Sequence, residues 1–572
     1  MVRQDRPNSL PVSGSEVEPE ARRRAAVVSR PAAVALAALA AGIFAQGLWS
    51  PRPGMWLILA LGLGIASLWL RQAATRGITL AIATAVLGLA AAEAQYNRAA
   101  ADDILNDIGD SPSLAELQVR LDQEPRFFMP HADLHLNSPL EQATAAVVAI
   151  KSAGQWRPAS GWVSLFLDEA NPNLTPGRDY RIIGMLQHPG KNDPEIAEHD
   201  RRHGIGAELA VNHADAVEPI GDMAMPWMLS VRQWVRGLIS DGFGSRLVSN
   251  INNRAEIDRA ILCQLILGDH DPLSRQTQDD FAQSGTTWQL GISGLHIAMV
   301  AGLVGLVGRL LRWPPRSSLL AAAIAAMAYA MIADSGQASW RATLCCVVAS
   351  CGLLSRRSVD AAQVFCVCML AMLLVSPMAA YDAATQIGVA AVAGLLIWSG
   401  PVRDMARWLG PGDQEVAVRA ASMGRGRVDR RAAIAAVLRT VARWGLGVLA
   451  ASIIAFASTA PAIAYHFKQI SPWTPVASLL LLPFTVAAMV GGLAKALLCL
   501  LWPGGAGAWA WLAAIPADLL RHVVGWLATW PAAQITVGGM SVWTLIYCWA
   551  TLLTLRVLLW LIQLAKPRIS GA

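Results

Sequence analysis

The sequence predicts a polytopic α-helical membrane protein of about twelve spans with one small β domain inserted near its start. Three observations predict it. Of 572 residues, 54% are hydrophobic and only 15% charged, with a mean hydropathy of +0.41, a composition outside the range of ordinary soluble domains. Apolar runs of span length recur along the chain between short polar turns. The one long polar region, 100–220, instead alternates apolar and polar residues in short runs, which is the period of half-buried strands.

Residues 1–30 are polar and rich in Pro and Ser, with Arg22, Arg23 and Arg24 just before the first apolar run. They read as a disordered cytoplasmic tail. Apolar runs at 32–49, 55–70 and 77–94 make 31–95 a set of three N-terminal spans. The basic prefix has the form of a signal peptide, but two further spans come at once, so the first reads as uncleaved. Arg71 and Arg76 between the second and third spans fix the N-terminus inside by the positive-inside rule, and the third span delivers 100–220 to the outer face.

In 100–220, alternating runs at 115–121, 144–150, 161–167, 179–185 and 207–211 are separated by turn clusters such as Asn171-Pro172-Asn173 and His188-Pro189-Gly190. They predict a barrel or sandwich of about five strands. The region holds 9 Lys and Arg against 19 Asp and Glu, a balance of −10, while the remainder, 37 against 21, stands at +16. Its aromatics are few: Phe127, Phe128, Trp156, Trp162, Phe166 and Tyr180. An acidic domain with few stacking rings is a poor non-specific phosphate binder. Two histidine pairs fall here, His131 and His135 around Asp133, and His199 and His203 at i, i+4. Neither has the Glu of a zincin or a further ligand nearby in sequence, and both stretches read as loops, so no metal site is expected. None of the eight cysteines lies in this region, and Cys345-Cys346 and Cys366/Cys368 lack metal-ligand spacing, so they read as small apolar residues in helices.

Residues 225–286 interleave Trp227, Trp234, Leu238 and Leu247 with Arg232, Arg236 and Arg246, the pattern of amphipathic interfacial helices. The stretch 261–312 is the one around which the rest of the chain is organised. A polar approach, Gly268-Asp269-His270-Asp271 and then Asp280-Phe281, leads into an apolar run of about 20 residues, enough to cross a bilayer. Just inside it Gln289, Ser293 and His296 stand at i, i+4, i+7, which predicts one helical face. Gly294, Ala298 and Gly302 make a second, small-residue stripe suited to close helix packing. Polar side chains entering a membrane are costly unless they face protein or water, so the first stripe is a candidate functional site.

Apolar runs near 289–311, 317–334, 341–354, 359–377, 380–399, 446–466, 473–501, 508–528 and 541–562 complete the span count, with 473–501 either one helix or a pair broken at Pro483. Arg309, Arg312 and Arg316, then Arg356 and Arg357, then nine Arg against four acids in 401–443 all fall inside, as does the C-terminus with Lys566 and Arg568. Topology accounts for the 401–443 cluster without ligand binding. Lys495 interrupts an apolar run; at the bilayer centre it would cost about 2.5–3.5 kcal/mol, so it faces a cavity or a partner.

The run LILGDHDPLSRQTQDDFAQSGTTWQLGISGLHIAMVAGLV at 265–304 resembles the signature segment of the ComEC-type competence proteins, inner-membrane channels for incoming single-stranded DNA. Later runs extend the likeness. ASWRATLCCVVASCGLLSRRSVDAAQVFCV matches a family span opened by an Arg, here Arg341; YDAATQIGVAAVAGLL carries the family's Gln as Gln386; and AYHFKQISPWTPVASLLLLPF carries its Tyr-His-Phe segment as Tyr465, His466 and Phe467. YRIIGMLQHPGKNDPEIAEHDRRHGIGAEL resembles the closing part of the family's OB-like domain. The resemblance therefore implies an extracytoplasmic OB-like domain at 100–220 and a competence-type channel domain at 287–565. Trp288 stands where the family often has His, and Ser478 where it often has Asn. No His-x-His-x-Asp-His run is present, so the chain is expected to be a short member without the C-terminal metallo-β-lactamase-like domain.

The resemblance further implies a non-enzymatic channel of the bacterial cytoplasmic (inner) membrane, both termini inside, admitting single-stranded DNA during natural transformation. Such a path must be polar and locally positive without strong traps. Its candidate residues are Gln289, Ser293, His296, Arg341 and Gln386, with Asp280, His466 and Lys495 as secondary candidates; Arg341 either contacts phosphate or pairs with Asp334. No Gly-rich Lys-Ser/Thr phosphate loop is present, so a separate ATPase or the proton gradient supplies the drive. The implied partners are an extracytoplasmic DNA-receptor protein, a cytoplasmic ATPase or single-strand-binding protein, and membrane lipid, with homo-oligomerisation left open; no cofactor or metal is expected. A rival reading rests on Gly291-Ile292-Ser293-Gly294, the Gly-x-Ser-Gly form found around the nucleophile of rhomboid-like intramembrane serine proteases, with Ser293 attacking and a distant His such as His466 as base. A transporter of another substrate is the third.

Overall fold

The structure, a computed structural model, describes residues 31–46, 53–70, 72–96, 102–109, 111–122, 125–128, 140–152, 154–168, 174–189, 194–220, 227–243, 254–269, 273–333, 337–357, 359–408 and 430–569. The expected tail 1–30, the His131/His135 pair, Asp334 and the side chains of the Arg-rich segment 401–443 lie outside the described residues.

The helices are α1 (Pro31–Phe44), α2 (Pro53–Trp69), α3 (Ala73–Tyr96), α4 (Pro194–Arg202), α5 (Trp227–Ser240), α6 (Arg254–Leu267), α7 (Arg275–Gln283), α8 (Gly294–Leu310), α9 (Pro315–Ile332), α10 (Gln337–Leu354), α11 (Ala361–Val375), α12 (Ala383–Trp408), α13 (Arg430–Phe467), α14 (Thr474–Leu501), α15 (Ala506–Ala528) and α16 (Val542–Ile569). Six segments are long and apolar enough to cross a membrane: Ala73–Tyr96, Thr287–Leu310, Pro315–Ile332, Gly445–Phe467, Thr474–Leu501 and Val542–Leu559. Five shorter apolar helices of 10–17 residues, Pro31–Phe44, Pro53–Trp69, Ala338–Leu354, Ala361–Val375 and Ala383–Trp398, stand where further spans were expected. Pro31–Phe44 and Ala361–Val375, 14 and 15 residues long, fall short of an about 30 Å hydrocarbon core at about 1.5 Å per residue, whereas α12 continues to Trp408. Among the described residues, six candidate spans thus stand by length and composition. α14 runs unbroken through Pro483, which decides the one-helix alternative.

The chain divides into two compact units. The first holds residues 1–94 and 355–377. In it α1 packs against α11, and small residues set its approach to α3. A Cβ on Gly42 would run into the Ala85 carbonyl, and one on Gly88 into the Leu39 carbonyl, so the two backbones touch as in close-packed membrane helices.

The second unit opens with a β domain built from β1 (Ser113–Leu121), β2 (Arg126–Phe128), β3 (Leu140–Ser152), β4 (Gln155–Pro158), β5 (Trp162–Leu167), β6 (Asp179–Gln187), β7 (Ile205–Val211) and β8 (Val217–Ile220). The five longer strands fall on the five alternating runs of the sequence. They are ordered β1-β3-β5-β7-β6, and β6 pairs back to β1, which closes a barrel. All neighbours are antiparallel except β5 and β7, which run parallel. Alternate residues fill the interior: Leu117, Val119 and Leu121, then Val163, Leu165 and Leu167, then Ala207, Leu209 and Val211. Each fully buried Val or Leu contributes about 1.5–3 kcal/mol. Tyr180 is buried with them, and its hydroxyl accepts the Thr175 N–H at 2.8 Å.

The helical core of this unit joins α5, α6, α7, α14 and α15. Here 225–286 differs from the expected interfacial helices. α5 keeps exposed Trp227 and Trp234, but α6 is sunk in the core along Ile257, Ile261, Leu265 and Ile266. Its polar Asp258 and Arg259 disguise it in sequence; tertiary packing, not the surface, takes its apolar side. Gly268 ends α6 in a left-handed turn (φ 73°), its N–H bonding the Gln264 carbonyl at 3.0 Å, the form of cap that Gly alone adopts without strain.

Candidate functional site

The site grows from the start of α8. The Gly291-Ile292-Ser293 segment is extended at Ser293 (φ −116°, ψ 175°), which makes Ser293 the N-cap of the helix rather than part of it. Its Oγ accepts the Leu295 N–H at 3.3 Å, and His296 Nδ1 accepts the Ser293 N–H at 3.1 Å. This is a capping box with His at the third helical position. Ser339 on α10 holds the preceding loop by donating to the Ile292 carbonyl at 2.8 Å. Gln289 lies in a separate 3-10 turn, Thr287–Gln289. The expected single helical face of Gln289, Ser293 and His296 is therefore corrected: the helix begins after Ser293, and the three converge by a change of backbone direction. Of the small-residue stripe, Gly294 faces Ala342 on α10, whereas a Cβ on Gly302 would meet nothing within 4 Å.

The three surround one small cavity with Trp288, Ser478 and Thr485, about 20 Å³ in volume, room for about one water. Thr485 on α14 donates to Gln289 Oε1 at 2.9 Å. His296 is 1% exposed. Because Nδ1 accepts, the neutral ring carries its proton on Nε2, and Nε2 is buried without a hydrogen-bond partner among the described residues. A buried N–H left unmatched costs about 1–3 kcal/mol. Trp288 and Ser478 both line this cavity.

Arg341 and Gln386 form a second cluster. Arg341, 8% exposed, donates to Thr385 Oγ1 at 3.0 Å and to the Ala384 carbonyl at 3.1 Å at the start of α12. Gly388 leaves room for it: a Cβ there would lie 2.6 Å from Nη2. The Gln386 amide donates to the Ala380 carbonyl at 3.1 Å, which turns Oε1 to receive His466 Nε2 at 2.9 Å. His466 is thus paired with Gln386, while the side chain at the Ser293 hydroxyl is His296, 3.1 Å away. A base at His466 for Ser293 is not what the geometry offers.

Asp280 on α7 is half-buried beside Gly525 of α15, its carboxyl pushed up in pKa by burial and then by Asp279. Lys495, 1% exposed, donates to the Leu238 and Ile239 carbonyls at 2.7 and 2.8 Å and lies over the Phe243 ring. It caps the C-terminus of α5, where a cation suits the helix dipole. Lys495→Met is expected to destabilise the protein by about 2–3 kcal/mol, since two buried carbonyls lose a charged donor. Thermal unfolding in detergent measures it; an unchanged midpoint would mean other donors take over.

Sequence reasoning missed Thr485, Thr385 and Asp382. The first had a signal: Ser478 and Thr485, seven apart in an apolar helix, share a face.

The profile of the family described as "Competence protein" matches residues 265–562. The chain belongs to the competence protein family. No curated protein and no solved structure matches it. The family segment contains every candidate residue from Asp280 to Lys495 and leaves the barrel outside. Membership and the apolar helices together make this a membrane protein.

Proposed function

We propose that this competence-family protein is the inner-membrane channel through which single-stranded DNA enters during natural transformation. The observation that carries the reading is His296: on the matched family segment, deeply buried, its side chain lining a cavity with Gln289, Ser293, Ser478 and Thr485, and its Nε2 without a hydrogen-bond partner among the described residues. A buried N–H without a protein partner is a donor open to water or to an arriving group. A cavity for about one water admits no nucleotide, so the reading requires α8 and α14 to part as the strand passes, and the described conformation is the closed gate. Arg341, Gln386 and His466 supply a second polar station whose positive charge is already bonded, which favours passage over trapping.

The barrel is read as extracytoplasmic and OB-like, supported by its closed five-strand order with a single parallel pair. Its role is docking of a receptor protein rather than DNA grip. Exposed Trp156 has Lys151 and Arg181 near its ring, but both cations are tied to Glu116, and Tyr180 is core. A cytoplasmic ATPase or single-strand-binding protein pulls from inside, and no catalytic step is assigned to the chain. The Ser293–His296 contact gives the protease reading one observation, yet helix capping accounts for it, and His296 has no third residue orienting Nε2 among the described residues. A serine-directed probe is expected to leave Ser293 unlabelled.

The test tracks labelled double-stranded DNA in a deletion strain with and without the wild-type gene. Label that stops outside the cytoplasmic membrane only in the deletion supports the channel. Normal entry in the deletion sinks it.

A further inference from the structure

His199 and His203, expected in a loop without further ligands, sit on and just beyond helix α4, where the His203 N–H bonds the His199 carbonyl at 3.2 Å and their i, i+4 spacing falls on one face. Their rings lie 4.3 Å apart. The fold brings a carboxylate that is distant in sequence: Asp382, just before α12, places Oδ1 3.1 Å from His203 Nε2. His203 Nδ1 bonds the His199 carbonyl at 2.8 Å, the support that metal-ligating histidines use to fix the tautomer and aim Nε2 outward. One donor atom from each of His199, His203 and Asp382 lies within 4.8 Å of the other two; ligands of one tetrahedral zinc stand about 3.3 Å apart. His199 and His203 are exposed and Asp382 half-buried, so rotamer adjustment of the two imidazoles would close the difference.

We propose that His199, His203 and Asp382 bind a divalent ion of the zinc class and so tie the barrel to the start of α12. Two imidazoles and one carboxylate are a zinc-type donor set that leaves a fourth position for water. The surroundings are already clamped. Tyr96 donates to Glu198 at 3.2 Å, Glu198 holds Arg202, and Arg202 lies over Tyr381. The ion would fix Asp382 three and four residues before Thr385 and Gln386, which hold Arg341 and His466.

The purified full-length protein in detergent is stripped with a chelator and reloaded with zinc or cobalt(II). Wild type is expected to retain one ion per chain through desalting, to show the visible band of four-coordinate cobalt, and to gain thermal stability with zinc. His199→Gln and Asp382→Asn are each expected to weaken binding more than about 100-fold, beyond the loss of a supporting hydrogen bond. Elution volume and helicity verify that they fold, and His131→Ala is expected to load as wild type. The proposal is overturned if wild type retains no ion, which leaves an ion pair only, or if either ligand variant loads like wild type.

Discussion

His296→Ala is expected to stop labelled DNA outside the cytoplasmic membrane at the level of the deletion strain, with protein abundance unchanged. Two roles meet at this residue and must be separated. Nδ1 closes the capping box with the Ser293 N–H, worth about 1 kcal/mol. Domain stability is about 5–15 kcal/mol, so the cap alone leaves the chain folded. Nε2, buried with no hydrogen-bond partner among the described residues, is the group the proposed function needs. His296→Gln divides the two, because Ser-x-x-Gln is itself a capping box while the amide folds back to the backbone and vacates the Nε2 position. Uptake lost in both variants assigns the function to Nε2. Uptake restored by Gln reduces His296 to a helix cap and removes the main support for the gate.

The barrel was legible because strands have a period of two, which 115–121 follows as apolar Ala115, Leu117, Val119 and Leu121 between polar residues. The membrane part was legible in kind; the count of about twelve rests on the apolar runs alone, since such a run shows that a helix is greasy, not that it crosses. The candidate site was legible as a set of residues and not as a geometry. Gln289, Ser293 and His296 do line one cavity, but through an N-cap and a 3-10 turn that spacing counted as continuous helix. Partners far along the chain left no local mark. Thr485 reaches Gln289 across 196 residues, and Asp382 reaches His203 only because α4 and the start of α12 meet. Lys495 was flagged as needing a partner; that the partner is the end of α5 required the fold.

Asp269→Ala is expected to destabilise the protein by about 3–5 kcal/mol, the penalty of leaving a buried charge uncompensated. Gly268 turns the chain after α6 so that Asp269, 1% exposed, points back to α5. There Oδ1 accepts from Arg232 Nε and Nη2 at 3.2 and 2.6 Å, and Arg236 Nε stands 3.2 Å from Oδ2. Arg232 is itself 6% exposed, so without Asp269 its guanidinium loses a buried counter-charge. Asp269→Asn keeps the shape and loses the charge, and about half the effect is expected. The double variant Arg232→Met with Asp269→Leu is expected to recover much of the loss, because replacing a buried pair is far less harmful than halving it. Unfolding in detergent and abundance in membranes measure all three. α5 and α6 both pack on α14, the helix that carries Ser478 and Thr485, so DNA entry in Asp269→Ala should fall in step with abundance. His296→Ala should lose entry at full abundance. If Asp269→Ala is as abundant as wild type yet admits no DNA, the carboxylate belongs to the path and not to the scaffold beneath it.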